Sequence, residues 1–273
     1  MPKVWFITGT SRGFGRQFAI AALGRGDLVA ATARHAAALA DLQAQYGAAV
    51  LALSLDVTDR AAVGMAIQRA HAHFGRLDVI VNNAGYGLFG TVEEVTEEQV
   101  RAQLETNFFG PLWVCRAALP LLRRQGSGHI VQISSTAGLL TAPNLGVYAA
   151  SKWALEAMSE AMAGEVAPYG IKVTLVEPGG YATDWSTTSK VVASPDPAYD
   201  HVRAAMVDFT SKMKVGDPTG VGSALLKVVD ASQPPRRVIF GEDGFDMVRA
   251  VYAERLQNLA DWQHLSVEAA TRP

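Results

Sequence analysis

The sequence predicts an α/β protein, a doubly wound parallel sheet of about seven strands with helices on both faces. Three observations predict it. Strand-like and helix-like runs alternate along the chain, as right-handed crossovers between parallel strands require. The first apolar run, Lys3 to Thr8, enters a glycine-rich loop that opens a helical stretch. Of the 273 residues, 49% are apolar and only 18% charged, enough to cover both faces of a sheet.

The elements follow in order. After the first strand comes an Ala/Leu-rich helix to about Arg25, then a strand over Leu28–Ala33 and a helix near Ala36–Tyr46. Ala49–Leu55 reads as the third strand, Asp59–Phe74 as a helix and Asp78–Asn82 as the fourth strand. A long helix is expected over Glu97–Leu122, carrying Asn107, with Pro120 near its end. Ile130–Ser134 is the next strand, followed by a helix from Tyr148 to Val166 and a strand over Lys172–Glu177. Pro195 and Pro197 break the chain before a helix over Ala198–Met213. A helix from Asp217 to about Ala231, a strand at Arg237–Phe240 and a helix over Phe245–Leu259 complete the pattern. No repeat, linker or low-complexity tract interrupts it, so residues 1–273 are expected to form a single domain. Gly9, Ser135 and Pro178 all follow strand C-termini, the edge where such sheets bind ligands.

Tyr148 and Lys152 stand four residues apart on a predicted helix, so phenol and ammonium share one face. A phenol titrating near ~10 shuttles protons poorly at neutral pH, and a fixed cation beside it lowers that value. Ser135, thirteen residues before the tyrosine, offers a hydroxyl to hold a carbonyl or alcohol oxygen. Bringing the phenol to near 7 corresponds to roughly 4 kcal/mol of differential stabilisation. The loop Thr8, Gly9, Thr10, Ser11, Arg12, Gly13, Phe14, Gly15 supplies the complementary feature. Its glycines let backbone approach a pyrophosphate, and the following helix presents unpaired N–H groups to the anion.

With Asn82, Asn83, Ala84 and Gly85 between them, these segments resemble the short-chain dehydrogenase/reductase family, in the branch with T-G-x-x-x-G-x-G and Y-x-x-x-K motifs. The resemblance runs from Lys3 to about Thr183 and implies a Rossmann-type fold. It implies that Gly9, Ser11, Arg12, Gly13, Phe14 and Gly15 form the cofactor loop, and that Asp56 and Val57 meet the adenine. Asn82 to Gly85 would close the floor beneath the nicotinamide. Asn107, Ser135, Tyr148 and Lys152 match the catalytic tetrad, with Tyr148 and Lys152 also touching the cofactor. Asn107 resembles the residue that holds a water between Lys152 and solvent. Pro178, Gly179 and Thr183 match P-G-x-x-x-T, whose threonine bonds the nicotinamide amide.

The second strand ends without the acid that would bond a ribose 2′-hydroxyl, and Asp27 lies at its wrong end. Arg34 follows the strand and Arg12 sits in the glycine loop, so two guanidiniums can clamp a 2′-phosphate. NADP(H) is therefore the expected cofactor. The expected activity is NADPH-dependent carbonyl reduction, or the reverse alcohol oxidation. The resemblance implies that residues 184–215 form a substrate lid, while residues 241–273 read as a C-terminal extension placed to cover the pocket or a neighbour. Trp185, Val191, Val192, Tyr199, Met206, Phe209 and Met213 in that lid either line an apolar pocket or pack its helix on the core. Lys190, Lys212 and Lys214 are the available cationic clamps. A steroid-, retinoid- or acyl-like ketone or alcohol is preferred, and the run from Gly85 to Gly90 is similar to that of hydroxysteroid and retinol dehydrogenases. Two alternatives remain open: a redox-neutral NADP-dependent epimerase or dehydratase, and a nucleotide-sensing module without catalysis.

Other features exclude whole classes. A net charge of −2 offers no basic field for nucleic acid. No apolar run reaches membrane-spanning length, and the first strand begins at once, leaving no room for a leader. One cysteine, Cys115 in an apolar helical run, allows no internal disulfide and reads as packing. These features point to a cytoplasmic protein. His71 and His73 face different ways on a helix, so no metal site is expected. Glu93, Glu94, Glu97 and Glu98 read as a solvated helix start. The resemblance implies a homodimer or homotetramer, and Ala154, Ala157, Ala161 and Gly164 suit close helix packing.

Overall fold

The computed structural model describes residues 1–183, 185 and 189–271. Its strands are β1 (Val4–Ile7), β2 (Leu28–Ala33), β3 (Val50–Ser54), β4 (Val79–Asn82), β5 (Leu88–Phe89), β6 (Gly128–Ile133), β7 (Ile171–Pro178), β8 (Val191–Val192) and β9 (Arg237–Phe240). Between them run α1 (Gly13–Gly24), α2 (Ala40–Tyr46), α3 (Arg60–Phe74), α4 (Glu97–Leu104), α5 (Gly110–Gln125) and α6 (Gly146–Val166). The remaining helices are α7 (Asp200–Ser211), α8 (Val221–Asp230), α9 (Glu242–Asp261) and α10 (Gln263–Ala270).

Seven strands form one parallel sheet in the order β3-β2-β1-β4-β6-β7-β9. The order reverses at β1 and β4, which opens a crevice at their C-terminal ends. Alternation along β1 explains the two layers. Val4 and Phe6 point into a core completed by α3, α5 and α6, while Trp5 and Ile7 point into one completed by α1, α2 and α8. The helices that complete these layers carry buried apolar residues to them, such as Val63, Ala66, Ile67 and Ala70 on α3.

Local signals set the ends. Asp59 caps α3 by accepting from the N–H groups of Ala61 and Ala62, and Thr96 with Gln99 forms a capping box at α4. Gly75 and Gly126 end α3 and α5 in the left-handed conformation. The strands fall within a residue or two of expectation. Three features differ. The long helix expected over Glu97–Leu122 is divided by a π-helical turn, Glu105–Phe109, between α4 and α5. β5 and β8, two residues each, pair as a separate parallel ladder. The helix expected over Phe245–Leu259 begins at Glu242 and runs to Asp261 as α9, and α10 follows it. No helix among the described residues is long and apolar enough to cross a membrane.

Candidate active site

The loop between β1 and α1 forms one wall of the crevice. Gly9 and Gly13 have φ of 71° and 58°, the left-handed region that favours glycine. A Cβ on Gly15 would lie 2.3 Å from the Gly9 carbonyl oxygen and 2.4 Å from Asn83 Nδ2, so the helix packs on the loop with no space for a side chain. Thr8 joins this loop to the one after β4: its hydroxyl accepts from the N–H groups of Asn83 (2.9 Å) and Ala84 (3.0 Å). Asn83 Nδ2 answers by donating to the carbonyls of Thr8 (2.9 Å) and Gly9 (3.0 Å). Phe14 stands edge-on to Tyr181 at 4.9 Å, tying the glycine loop to the segment after β7.

These residues fit a dinucleotide phosphate. A Cβ on Gly13 would meet nothing within 4 Å, so the loop faces open space. No acid occupies the first turn of α1, whose N-terminal N–H groups favour an anion. Ser11, Arg12 and Arg34 are exposed at this edge, and the Arg34 carbonyl accepts from Ser54 Oγ at 2.7 Å. The Asp56 carboxylate is turned to the Thr58 N–H and hydroxyl, at 2.9 and 2.8 Å, while Val57 packs under Gly110. Asn82 points away from the crevice, donating to Cys115 Sγ at 3.5 Å. Burial pushes the Cys115 thiol up to about 12, leaving it inert as a nucleophile.

Beside this edge the chain gathers Asn107, Ser135, Tyr148 and Lys152. Ser135 leaves β6 in extended conformation; its Oγ accepts from the Ala137 N–H at 3.1 Å and lies 3.4 Å from the Pro178 carbonyl. Lys152 donates from Nζ to the Ile133 carbonyl at 2.8 Å and sits 5.9 Å from the centre of the Tyr148 ring. Asn107, inside the π turn, donates to the Tyr86 carbonyl (3.0 Å) and Ser151 Oγ (3.2 Å), and accepts from the Tyr86 N–H (3.2 Å). Its amide thus braces the loop after β4 against α6. Gly85 closes the group: a Cβ there would lie 3.1 Å from Asn107 Oδ1 and 3.8 Å from Lys152 Nζ.

The electrostatics differ from the expected acidified phenol. Burial pushes Tyr148 up to about 12, with the Ser135 hydroxyl opposing. Burial also pulls Lys152 down to about 8, with Glu156 opposing. Tyr148 is 4% exposed and Lys152 6%, so for this chain's own groups desolvation outweighs a cation already bonded to a carbonyl. The phenol is therefore protonated at neutral pH, the form that gives a proton.

Above the site, Trp185 packs on Tyr148 with ring centres 5.1 Å apart and on Phe89 at 5.6 Å. Gly87 permits this, since a Cβ there would lie 2.5 Å from the indole. Thr183 Oγ1 accepts from the Trp185 N–H at 3.4 Å. Asp184 and residues 186–188 of the expected lid lie outside the described residues. Gly179 donates to the Phe240 carbonyl at 2.9 Å, which holds the segment after Pro178 to the end of β9. α7 has no buried residue, so core packing is not what holds it. Glu94 does that instead of forming a solvated helix start. Its carboxylate accepts from the Thr91 and Asp196 N–H groups, each at 2.8 Å, and pairs with Arg203 of α7. Those backbone donors hold Glu94 down to about 2. Among the described residues no cluster of His, Cys, Asp and Glu could hold a metal ion.

Two buried polar groups at or near the site carry no motif signal of their contacts. Thr8 lies in the glycine motif, but its bonds to Asn83 and Ala84 depend on the meeting of β1 and β4. Glu156, 4% exposed one turn beyond Lys152, could have been suspected only as an acid on an apolar helix face.

Comparison with known proteins agrees with this geometry. The short chain dehydrogenase family model matches residues 3–191. The oxidoreductase BOA17 of Botryotinia fuckeliana is 40% identical over 276 residues, covering 99% of this chain and all of that protein. A crystal structure of a short-chain dehydrogenase from Streptomyces avermitilis superposes with a TM-score of 0.92 at 39% identity, covering 98% of both chains. An alcohol dehydrogenase from Thermococcus sibiricus, solved with 5-hydroxy-NADP, matches with a TM-score of 0.75 at 26% identity, covering 88% of this chain and 97% of that one.

Proposed function

The chain belongs to the short-chain dehydrogenase family of oxidoreductases, and on that premise we propose that it uses NADP(H) to interconvert a ketone or aldehyde and its alcohol. The observation that carries the reading is the buried Tyr148 gathered with Ser135 and Lys152 at the sheet edge that also holds the glycine loop. When bound there, NADPH would supply hydride to the carbonyl carbon. Ser135 donates a hydrogen bond to the substrate oxygen, and Tyr148 passes its proton to that oxygen as charge develops. Lys152 stabilises the phenolate left behind. Asn107 braces the loop after β4 against α6, and the resemblance gives Thr183 the contact to the nicotinamide amide. Oxidation of the alcohol runs the same transfers in reverse.

The cofactor reading rests on Arg12 and Arg34 at an edge whose second strand ends without an acid; the 5-hydroxy-NADP complex of the Thermococcus relative supports it. Arg34→Asp is expected to weaken NADPH binding by roughly 10- to 100-fold, the range of one charge-assisted hydrogen bond of about 1.5–3 kcal/mol. NADH binding should hold or improve. Fluorescence titration of both nucleotides checks this, and equal affinity of the unmodified protein for the two defeats it. Trp185 against Tyr148, Phe89 against Trp185, and the exposed Val191 and Val192 that follow in the chain favour an apolar substrate. The test is NADPH oxidation over ketones and aldehydes graded in size and polarity. Oxidation with none, alongside redox-neutral turnover, would replace the proposal with epimerase or dehydratase chemistry.

A further inference from the structure

α6 carries Tyr148, Lys152 and Glu156 at four-residue intervals, so all three share one face of the helix. Glu156 is 4% exposed and has no part in the chemistry described above. On its own helix, Lys152 lies one turn back, with its hydrogen bond going to the Ile133 carbonyl, and Glu160 lies one turn on. From β9, Arg237 Nε lies 3.2 Å from Glu156 Oε2, and Arg237 Nη2 lies 3.1 Å from Glu160 Oε2. From β7, Glu177, 1% exposed, lies 3.3 Å from Arg237 Nε. From the end of β6, Ser134 closes the remaining side: a Cβ on Gly138 would lie 2.7 Å from Ser134 Oγ and 2.9 Å from Glu156 Cγ.

Burial and charge oppose one another in this group. Burial, and Glu156 beside it, push Glu177 up to about 8, so it holds its proton at neutral pH. Burial pushes Glu156 up as well, with Ser134, Arg237 and Lys152 pulling it back down, and Arg237 pairs with both Glu156 and Glu160, so the group runs from beside Lys152 to the exposed Glu160. Lys152 needs such a neighbour. Its ammonium donates to the Ile133 carbonyl, and a buried ammonium without a nearby anion sheds its proton.

We propose that Glu156 is a positioning residue of the reaction: it is the counter-charge that keeps Lys152 an ammonium at working pH, and Arg237 keeps Glu156 ionised. The inference rests on the oxidoreductase reading, since it assigns a cause to the charge of a lysine used there. Lys152 titrates at about 8 with Glu156 in place, so the ammonium is present below that pH and lost above it. Removing the carboxylate removes the influence that raises this value, and the loss then begins at lower pH.

The test is the pH profile of kcat/KM for the unmodified protein, Glu156→Gln, Glu156→Asp and Arg237→Gln, with NADPH and a carbonyl the unmodified protein reduces. Glu156→Gln should shift the alkaline limb down by about one pH unit, roughly a tenfold loss at pH 8, with the rate at pH 6 nearly kept. Glu156→Asp should restore the limb, and Arg237→Gln should move it in the direction of Glu156→Gln. A loss equal at every pH, or a limb that stays in place, overturns the proposal. If Glu156→Gln fails to fold, Arg237→Gln decides by the same criterion. A second readout needs no turnover: NMR titration of 13C-labelled lysine, with the Lys152 signal assigned through Lys152→Ala. A lowered Lys152 midpoint without carbonyl reduction would sustain this inference while removing the oxidoreductase reading; an unmoved midpoint with normal reduction would do the opposite.

Discussion

Tyr148→Phe is expected to lower kcat by about 10²- to 10⁴-fold, the usual contribution of a positioned proton donor, while the NADPH dissociation constant stays within about twofold. The phenol hydroxyl faces Ser135, and its ring is packed by Trp185 and lies near the Lys152 ammonium. Phenylalanine keeps that ring and its contacts, so the fold and the glycine loop are undisturbed and only the proton is lost. Single-turnover NADPH oxidation with a productive ketone, beside a fluorescence titration of NADPH, separates the two quantities. A variant that keeps most of its rate would mean that the proton comes from elsewhere, with Ser135 the next group in reach.

Gly15→Ala is expected to be as damaging by a steric route. The new methyl would lie 2.3 Å from the Gly9 carbonyl oxygen and 2.4 Å from Asn83 Nδ2, and neither can retreat freely. Gly9 is held in the left-handed region, and Asn83 spends its amide on the Thr8 and Gly9 carbonyls. Overpacking of this kind costs about 1–3 kcal/mol, a Tm drop of several degrees for a chain of this size at roughly 2–4 °C per kcal/mol. NADPH affinity should fall at least tenfold, because the displaced loop is the one proposed to meet the pyrophosphate. Gly13→Ala is the control: it faces open space, so its cost is confined to its φ of 58°. Equal melting temperatures for Gly15→Ala and the unmodified protein would refute the steric account.

Much of this was legible in the chain because it depends on short-range periodicity. The strand runs, the glycine spacing and the four-residue step from Tyr148 to Lys152 each express one local rule. The π turn at Glu105–Phe109 obeys none: Asn107 holds that turn by bonding Tyr86, twenty-one residues away, and Ser151, forty-four away. Two-residue strands such as β5 and β8 give no periodic signal, and they pair across a hundred residues of sequence. Glu94 read as solvated because its neighbours are acidic, yet its partners Asp196 and Arg203 come from beyond the site. The tyrosine's titration departs from the spacing rule for a related reason. The spacing revealed the cation and could not reveal the burial that outweighs it.

The short ladder between β5 and β8 has a mechanical consequence. Val191 donates to the Gly87 carbonyl at 2.9 Å and Ala193 to that of Phe89 at 2.8 Å, so the downstream margin of the roof is stitched to the segment that Asn107 grips. Gly87 thus serves two contacts at once, because its carbonyl takes the Val191 N–H while a Cβ on it would lie 2.5 Å from the Trp185 indole that covers Tyr148. A side chain introduced at residue 87 would therefore disturb the ladder and the indole together, and through the indole the phenol it packs on.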